Sequence, residues 1–123
     1  MFQIASYETF QDGQVIFADG SNGDWIYVLD EGEVEISKMA GDRRIIIEVL
    51  KPGDIFGEMA YIDKTPRSAT ATAKGRTVVG IVDRVFFDKE FNKLSADFQQ
   101  MLKTVAFRLR KTTEKSLETQ KGG

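Results

Sequence analysis

The sequence predicts a mainly β fold: a β-roll over about 10–83, then a helical arm over about 85–119, in one domain spanning 1–123. Three observations carry this. Glycines punctuate the first two thirds, from Gly13 to Gly80, with short β-branched or aromatic segments between them. From Ser95 to Lys121 there is neither glycine nor proline. Within that last stretch apolar residues recur at helical spacing.

The strands expected in order are Val15–Phe17, Trp25–Leu29, Glu33–Ser37, Arg44–Leu50, Ser68–Ala73 and Thr77–Val82. EGEVEIS alternates polar and apolar, as a half-buried strand does. RRIIIEVL carries three consecutive isoleucines, which predicts a strand covered on both faces. Asp19-Gly20, Asn22-Gly23 and Pro52-Gly53 supply turn chemistry between segments. A short helix is expected over Val85–Phe91. Ser95 then suits an N-cap, with Asp97 where the helix dipole favours acid. Phe98, Met101, Leu102, Val105 and Leu109 form the apolar stripe of the long helix, and Thr112 and Ser116 extend it as polar positions.

Composition removes several function classes. The 123 residues contain no cysteine and no histidine. Disulfides, thiolate sites, imidazole bases and His-lined metal sites of the cupin kind are therefore not to be expected, and neither is catalysis or a cofactor. The 17 basic and 19 acidic residues nearly balance, so no nucleic acid or anionic membrane is implied. No apolar run approaches the ~18 residues of a membrane span, and the N-terminus lacks a signal pattern. A cytoplasmic setting is the expectation.

The chemistry concentrates in Phe56–Ala73, FGEMAYIDKTPRSATATA. Gly57 allows close backbone approach, and Glu58–Ile62 can form a short helix turn whose N–H groups favour an anion. Pro66 stops the helix, and Arg67 stands where the chain becomes extended. The Ser/Thr-Ala alternation that follows leaves space. Guanidinium, carboxylate, hydroxyl and N–H groups around one concavity would suit a sugar phosphate, since arginine grips phosphate bidentately. On spacing alone the other reading is a plain Glu58–Arg67 ion pair in an ordinary strand-and-turn segment.

The segment resembles the phosphate-binding cassette of the cyclic nucleotide-binding domain family. Phe56, Gly57, Glu58, Met59, Ala60, Pro66, Arg67, Ser68, Ala69 and Thr70 match its pattern in order. Upstream, Phe10, Gly13, Gln14, Ile16, Phe17, Gly20, Ile26–Leu29, Gly32–Val34 and Pro52–Asp54 resemble the same family, so the likeness covers most of residues 10–91. Tyr61 departs from it, because leucine is commoner there. The resemblance implies a double-stranded β-helix (jelly-roll or β-roll) with flanking helices. It implies a non-catalytic cyclic nucleotide receptor, for cAMP or else cGMP. It places the cyclic phosphate on Arg67 and the ribose 2′-hydroxyl on Glu58. Gly57, Met59 and Ser68 complete the ligand-binding set. VAFRLRKTTEK resembles the long helix of the catabolite activator family of bacterial regulators. That implies a base contact from Thr112, a partner-subunit contact from Thr113, Arg108 near the pocket, and a homodimer through the helix. A downstream effector domain or protein is the other expected partner. No DNA-reading element is recognised within the chain. The competing expectation is a β-roll dimerisation or docking module that binds no nucleotide.

Overall fold

The computed structural model describes residues 2–122, with side chains described as far as Lys115. The elements run β1 (Ile4–Phe10), β2 (Val15–Phe17), β3 (Tyr27–Ala40), β4 (Arg43–Leu50), β5 (Ile55–Phe56), α1 (Glu58–Asp63), β6 (Thr70–Val82), α2 (Arg84–Asn92) and α3 (Ala96–Gly122). All strand pairs are antiparallel, in the order β1-β6-β3-β4, with β2 on β6 and β5 on β3. The fold is a mainly β roll with flanking helices and a long C-terminal helix.

β3 and β6 hold the roll together. Each was expected as two strands separated by glycine, at Gly32 and at Gly75, and each is one long strand. The glycines act as irregularities inside a ladder rather than as turns: the β3–β6 register shifts between Leu29 and Glu31 and again between Glu31 and Glu33. Bent there, both halves of each strand face the same interior. Leu29 and Val34 from β3 meet Ala71, Ala73, Val79 and Ile81 from β6, and Phe10, Tyr27, Leu50 and Phe56 close the core. Thr77 is fully buried at the bend, its hydroxyl 3.1 Å from the Glu33 carbonyl and 3.0 Å from that of Gly75. β1 and β5 were not anticipated. β1 is exposed over most of its length and shows no clean alternation, and β5 has two residues, too few for a pattern.

The isoleucine run needs a correction. β4 ends the strand order, pairs only with β3, and is exposed over most of its length. Ile46 and Ile47 are each 41% exposed. Ile47 is the extra residue where the β3–β4 register shifts, with Ile36 opposite Glu48 and Ser37 opposite Ile46.

A second apolar cluster mounts the helices. Ile26, Tyr61 and Val82 pack with Ile4, Val28, Phe87 and Phe91. The Tyr61 ring meets Phe87 and Phe91 edge-on, with centroids at 5.0 and 5.5 Å. Its hydroxyl donates to Asp88, which explains how a phenol occupies a buried position. Asp83 caps α2 by accepting from the Phe86 N–H, and the Ser95 hydroxyl accepts from the Phe98 N–H at the start of α3.

The bend makes Gly32 the most demanding backbone position. Its φ is +85°, and an added Cβ would lie 2.4 Å from the Arg76 carbonyl oxygen and 2.9 Å from Thr77 Cα, both backbone atoms. Gly32→Ala should lower unfolding free energy by about 3 kcal/mol in a urea titration. A loss under about 1 kcal/mol would contradict the claim that this bend fixes the roll.

Candidate functional site

The site is built where β5 hands over to α1. Phe56 is buried in the core, and Gly57 turns the chain with φ +82°. A Cβ on Gly57 would sit 2.6 Å from Arg67 Nη1 and 2.8 Å from the Trp25 carbonyl oxygen. The glycine therefore makes room for the arginine. α1 ends at Lys64, and the chain reaches Arg67 through Pro66. Arg67 is fixed at both its main-chain groups: its N–H donates to the Ser21 carbonyl (2.9 Å), and its carbonyl accepts from the Gly20 N–H (2.7 Å).

The Arg67 side chain is buried, at 5% exposure, without a carboxylate. Nη1 donates to the Gly57 carbonyl (2.7 Å) and Nη2 to the Trp25 carbonyl (2.9 Å). Its Cζ lies 4.3 Å from the centroid of the Phe17 ring. A guanidinium has five N–H donors, so these two bonds leave donors unspent. Burial pulls the Arg67 pKa down, against the opposing pull of Tyr27, Asp24 and Glu58, yet a guanidinium remains a cation.

Glu58, the first residue of α1, lies beside the same space. Burial pushes its carboxyl above the ordinary value of 4.5. Glu48 adds to the rise, while its own backbone N–H and Arg67 oppose it. No ion pair joins Glu58 to Arg67 or to any other described residue. The plain salt bridge that spacing allowed is not what the structure contains.

Between them opens a cavity of about 270 Å³. Gly57, Glu58, Met59, Arg67, Ser68 and Ala69 form its polar side. Phe17, Ile36, Ile47, Leu50 and Ile55 form an apolar wall, and Leu109, Arg110 and Thr113 reach it from α3. The cavity thus offers a buried cation and an acceptor carboxylate on one side and an apolar surface on the other. That combination suits an anionic group, a hydroxyl and a flat apolar ring.

The helix residues divide differently from the sequence expectation. Thr113 lines the cavity, whereas Thr112 and Arg108 are exposed and do not. The side chain of Ser116 lies outside the described residues. The reason is rotational. α3 meets the roll through Ala106, Arg110 and Thr113, spaced i, i+4, i+7. Most of the apolar stripe faces away: Phe98, Met101 and Val105 are 59, 60 and 50% exposed, and of the stripe only Leu109 also borders the cavity. Extending that stripe to Thr112 follows the wrong face.

Arg110 stands where Arg108 was sought. It clasps Asp63 at the end of α1 through Nε (2.5 Å) and Nη2 (3.0 Å), and its Nη1 donates to the Pro66 carbonyl (3.1 Å). Thr65 also donates to Asp63 through its N–H and hydroxyl. Burial alone would raise the Asp63 carboxyl, but these bonds outweigh it and hold the carboxyl below its ordinary value. A pair 47 positions apart has no sequence signal. Among the described residues, no group of three or more His, Cys, Asp or Glu is placed to hold a metal. No helix among them is long and apolar enough to cross a membrane.

Comparison with known proteins matches this geometry to a family. The model of the cyclic nucleotide-binding domain fits residues 7–93. A cAMP-dependent protein kinase regulatory subunit of Dictyostelium discoideum is 38% identical over 98 residues, covering 76% of this chain and 29% of the relative. A CRP-like cAMP-activated global transcriptional regulator of Mycobacterium tuberculosis is 32% identical over 104 residues, covering 84% and 46%. The chain therefore spans less than half the length of either relative. Among solved structures, the cAMP-bound EAL enzyme Bd1971 superposes with a TM-score of 0.83 at 29% identity, over 90% of this chain and 30% of that one. Its cGMP-bound form superposes with a TM-score of 0.79 at 30% identity, over 85% and 28%. The cassette at Phe56–Thr70, the roll that carries it and these relatives agree: the chain belongs to the cyclic nucleotide-binding domain family.

Proposed function

We propose that this chain is a non-catalytic receptor domain for a cyclic nucleotide, cAMP in the first instance, whose binding biases the placement of α3. The observation that carries this is Arg67: a buried guanidinium with unspent donors and no carboxylate, facing a cavity that also holds the unpaired Glu58. The cyclic phosphate takes the Arg67 donors, with N–H groups near Gly57, Glu58 and Ser68 around it. The Glu58 carboxylate accepts from the ribose 2′-hydroxyl. The purine lies toward the apolar wall and Thr113. cAMP stands first because both relatives named above carry cAMP in their descriptions, and cGMP, bound in the second Bd1971 structure, is the other candidate.

Linkage to α3 follows from where α3 touches the site. Arg110 lines the cavity and clasps Asp63, and its third bond falls on Pro66, the residue before Arg67. A ligand that resettles the cassette therefore acts on α3 through one bidentate pair, and coupling is the difference in that contact between two states. The exposed stripe Phe98, Met101 and Val105 is the surface on which a second copy docks, giving a homodimer, or which meets an effector.

Titration calorimetry tests the reading. The wild type should bind cAMP, and Arg67→Ala should weaken binding by about 2–3 kcal/mol, since phosphate loses a charge-assisted pair. Amide exchange along α3 should change on adding cAMP to the wild type and not to the variant. Sedimentation of the same samples should give a dimer that Val105→Asp, on the exposed stripe and away from the cavity, dissociates. No heat and no thermal shift with millimolar cAMP or cGMP would sink the receptor reading. It would leave the docking module as the alternative.

Glu58 gives a prediction with a sign. Its folded pKa is raised, so protonation favours the folded state. Without ligand, that contribution is full at low pH and lost as pH rises from 4.5 through the folded value. At pH 7 the ionised group is a cost kept for the ligand. Glu58→Gln should raise the ligand-free Tm by a few degrees at pH 7, with the gain vanishing below pH 4.5. It should also weaken cAMP about tenfold. A variant less stable at pH 7 than the wild type would contradict this.

A further inference from the structure

A second cleft, of about 570 Å³ and sharing no lining residue with the first cavity, is lined by Lys38, Asp19 and Thr70 among others. Lys38 is on β3, four positions beyond Val34 of the core, and is mostly buried. Its ammonium donates to the Ser68 carbonyl (2.8 Å) and lies 3.4 Å from the Asp19 carboxylate. Asp19 in turn donates its N–H to the Thr70 hydroxyl (3.0 Å), and the same loop, through Gly20 and Ser21, holds the Arg67 main chain. The Ser68–Thr70 stretch is thus braced from outside by a lysine that never lines the ligand cavity.

The geometry of a trans peptide gives this bond a consequence. The carbonyl of Ser68 and the N–H of Ala69 belong to one planar unit and point in opposite directions. Lys38 holds the carbonyl outward, so the Ala69 N–H is turned the other way, and Ala69 lines the nucleotide cavity. Among the described residues, the Ala69 N–H meets no acceptor outside the strand ladders. An ammonium on the carbonyl also polarises the peptide and strengthens its N–H as a donor.

We propose that Lys38 is a positioning residue for anion binding: through the Ser68–Ala69 peptide it aims and polarises the Ala69 N–H toward the phosphate of the bound nucleotide. This rests on the receptor reading above. A charge on the opposite side of the strand is thereby made part of the phosphate site without touching ligand. Lys38→Arg keeps the donor and the charge and retains the function, while Lys38→Met removes both.

The test combines calorimetry with NMR of the Ala69 amide on the full chain, using cAMP as the probe. The Ala69 amide proton should move downfield on adding cAMP to the wild type. Lys38→Met should bind about tenfold more weakly, with a reduced Ala69 shift and a ligand-free Tm within about a degree of the wild type. Lys38→Arg should restore both readouts. If Lys38→Met fails to fold, Lys38→Gln serves, since it retains a donor and should fall between the two. Unchanged cAMP affinity in the lysine variants overturns the proposal, and so does weaker binding with an unaltered Ala69 shift. If the wild type itself takes no cAMP, the receptor reading fails and this inference falls with it. If the wild type binds and Lys38→Met binds equally well, this inference fails alone.

Discussion

A buried guanidinium needs something to replace the water it gives up, and at Arg67 no carboxylate does so. Two backbone carbonyls and an aromatic face take that part, and most of the site follows from supplying them. Gly57 lacks a Cβ because Arg67 Nη1 occupies the place. The 18–25 loop runs past the cassette because its Trp25 carbonyl accepts from Nη2 and its Ser21 carbonyl accepts from the Arg67 N–H. Phe17 lies against the guanidinium and also packs on the core. Carbonyl partners orient a cation without neutralising it. Pairing with Glu58 would have cancelled the charge. Instead both groups face the cavity with their charges available, and the raised Glu58 carboxyl reflects that cost.

The same segment is tied to the rest of the chain in two directions. Outward, Asp63 and the Pro66 carbonyl are held by Arg110 of α3, so the helix is anchored within one residue of Arg67. Inward and behind, Lys38 and Asp19 brace Ser68 and Thr70 against β3. The roll gives these contacts a rigid base because β3 and β6 each pass through the whole core. In the proposed reading, a movement of the cassette would be resisted on the strand side and passed on at the helix side. This asymmetry is what a receptor needs if ligand is to be read out by a helix.

Much of this was legible in the sequence where local chemistry decides the structure. Gly57, Pro66 and the small residues after Arg67 mark the cassette because backbone geometry demands those types. Ser95 caps α3 by a local hydrogen bond, as its residue type and place suggest. What was not legible depends on distant placement. Gly32 reads as a turn, and only its pairing with β6 makes it a bend within a strand. Ile46 and Ile47 read as core, yet both stand exposed on a strand that pairs with β3 alone. The apolar stripe of α3 reads as continuing to Thr112, where the resemblance puts the base contact. The helix turns instead on Ala106 and Arg110, and an Arg–Asp clasp carries no periodicity. Arg110 and Lys38 became visible as neighbours of the site only once the chain was folded, and Thr113, which the resemblance assigned to a partner subunit, lines the cavity of its own chain.

The most direct measurement is a crystal structure of the chain grown with cAMP. A phosphate oxygen should lie within hydrogen-bond distance of the Arg67 guanidinium, and the ribose 2′-hydroxyl within the same reach of Glu58, with the purine between the apolar wall and α3. A nucleotide bound elsewhere, or an Arg67 that keeps only its two carbonyl contacts while ligand is present, would contradict the assignment of this buried arginine as the phosphate receptor.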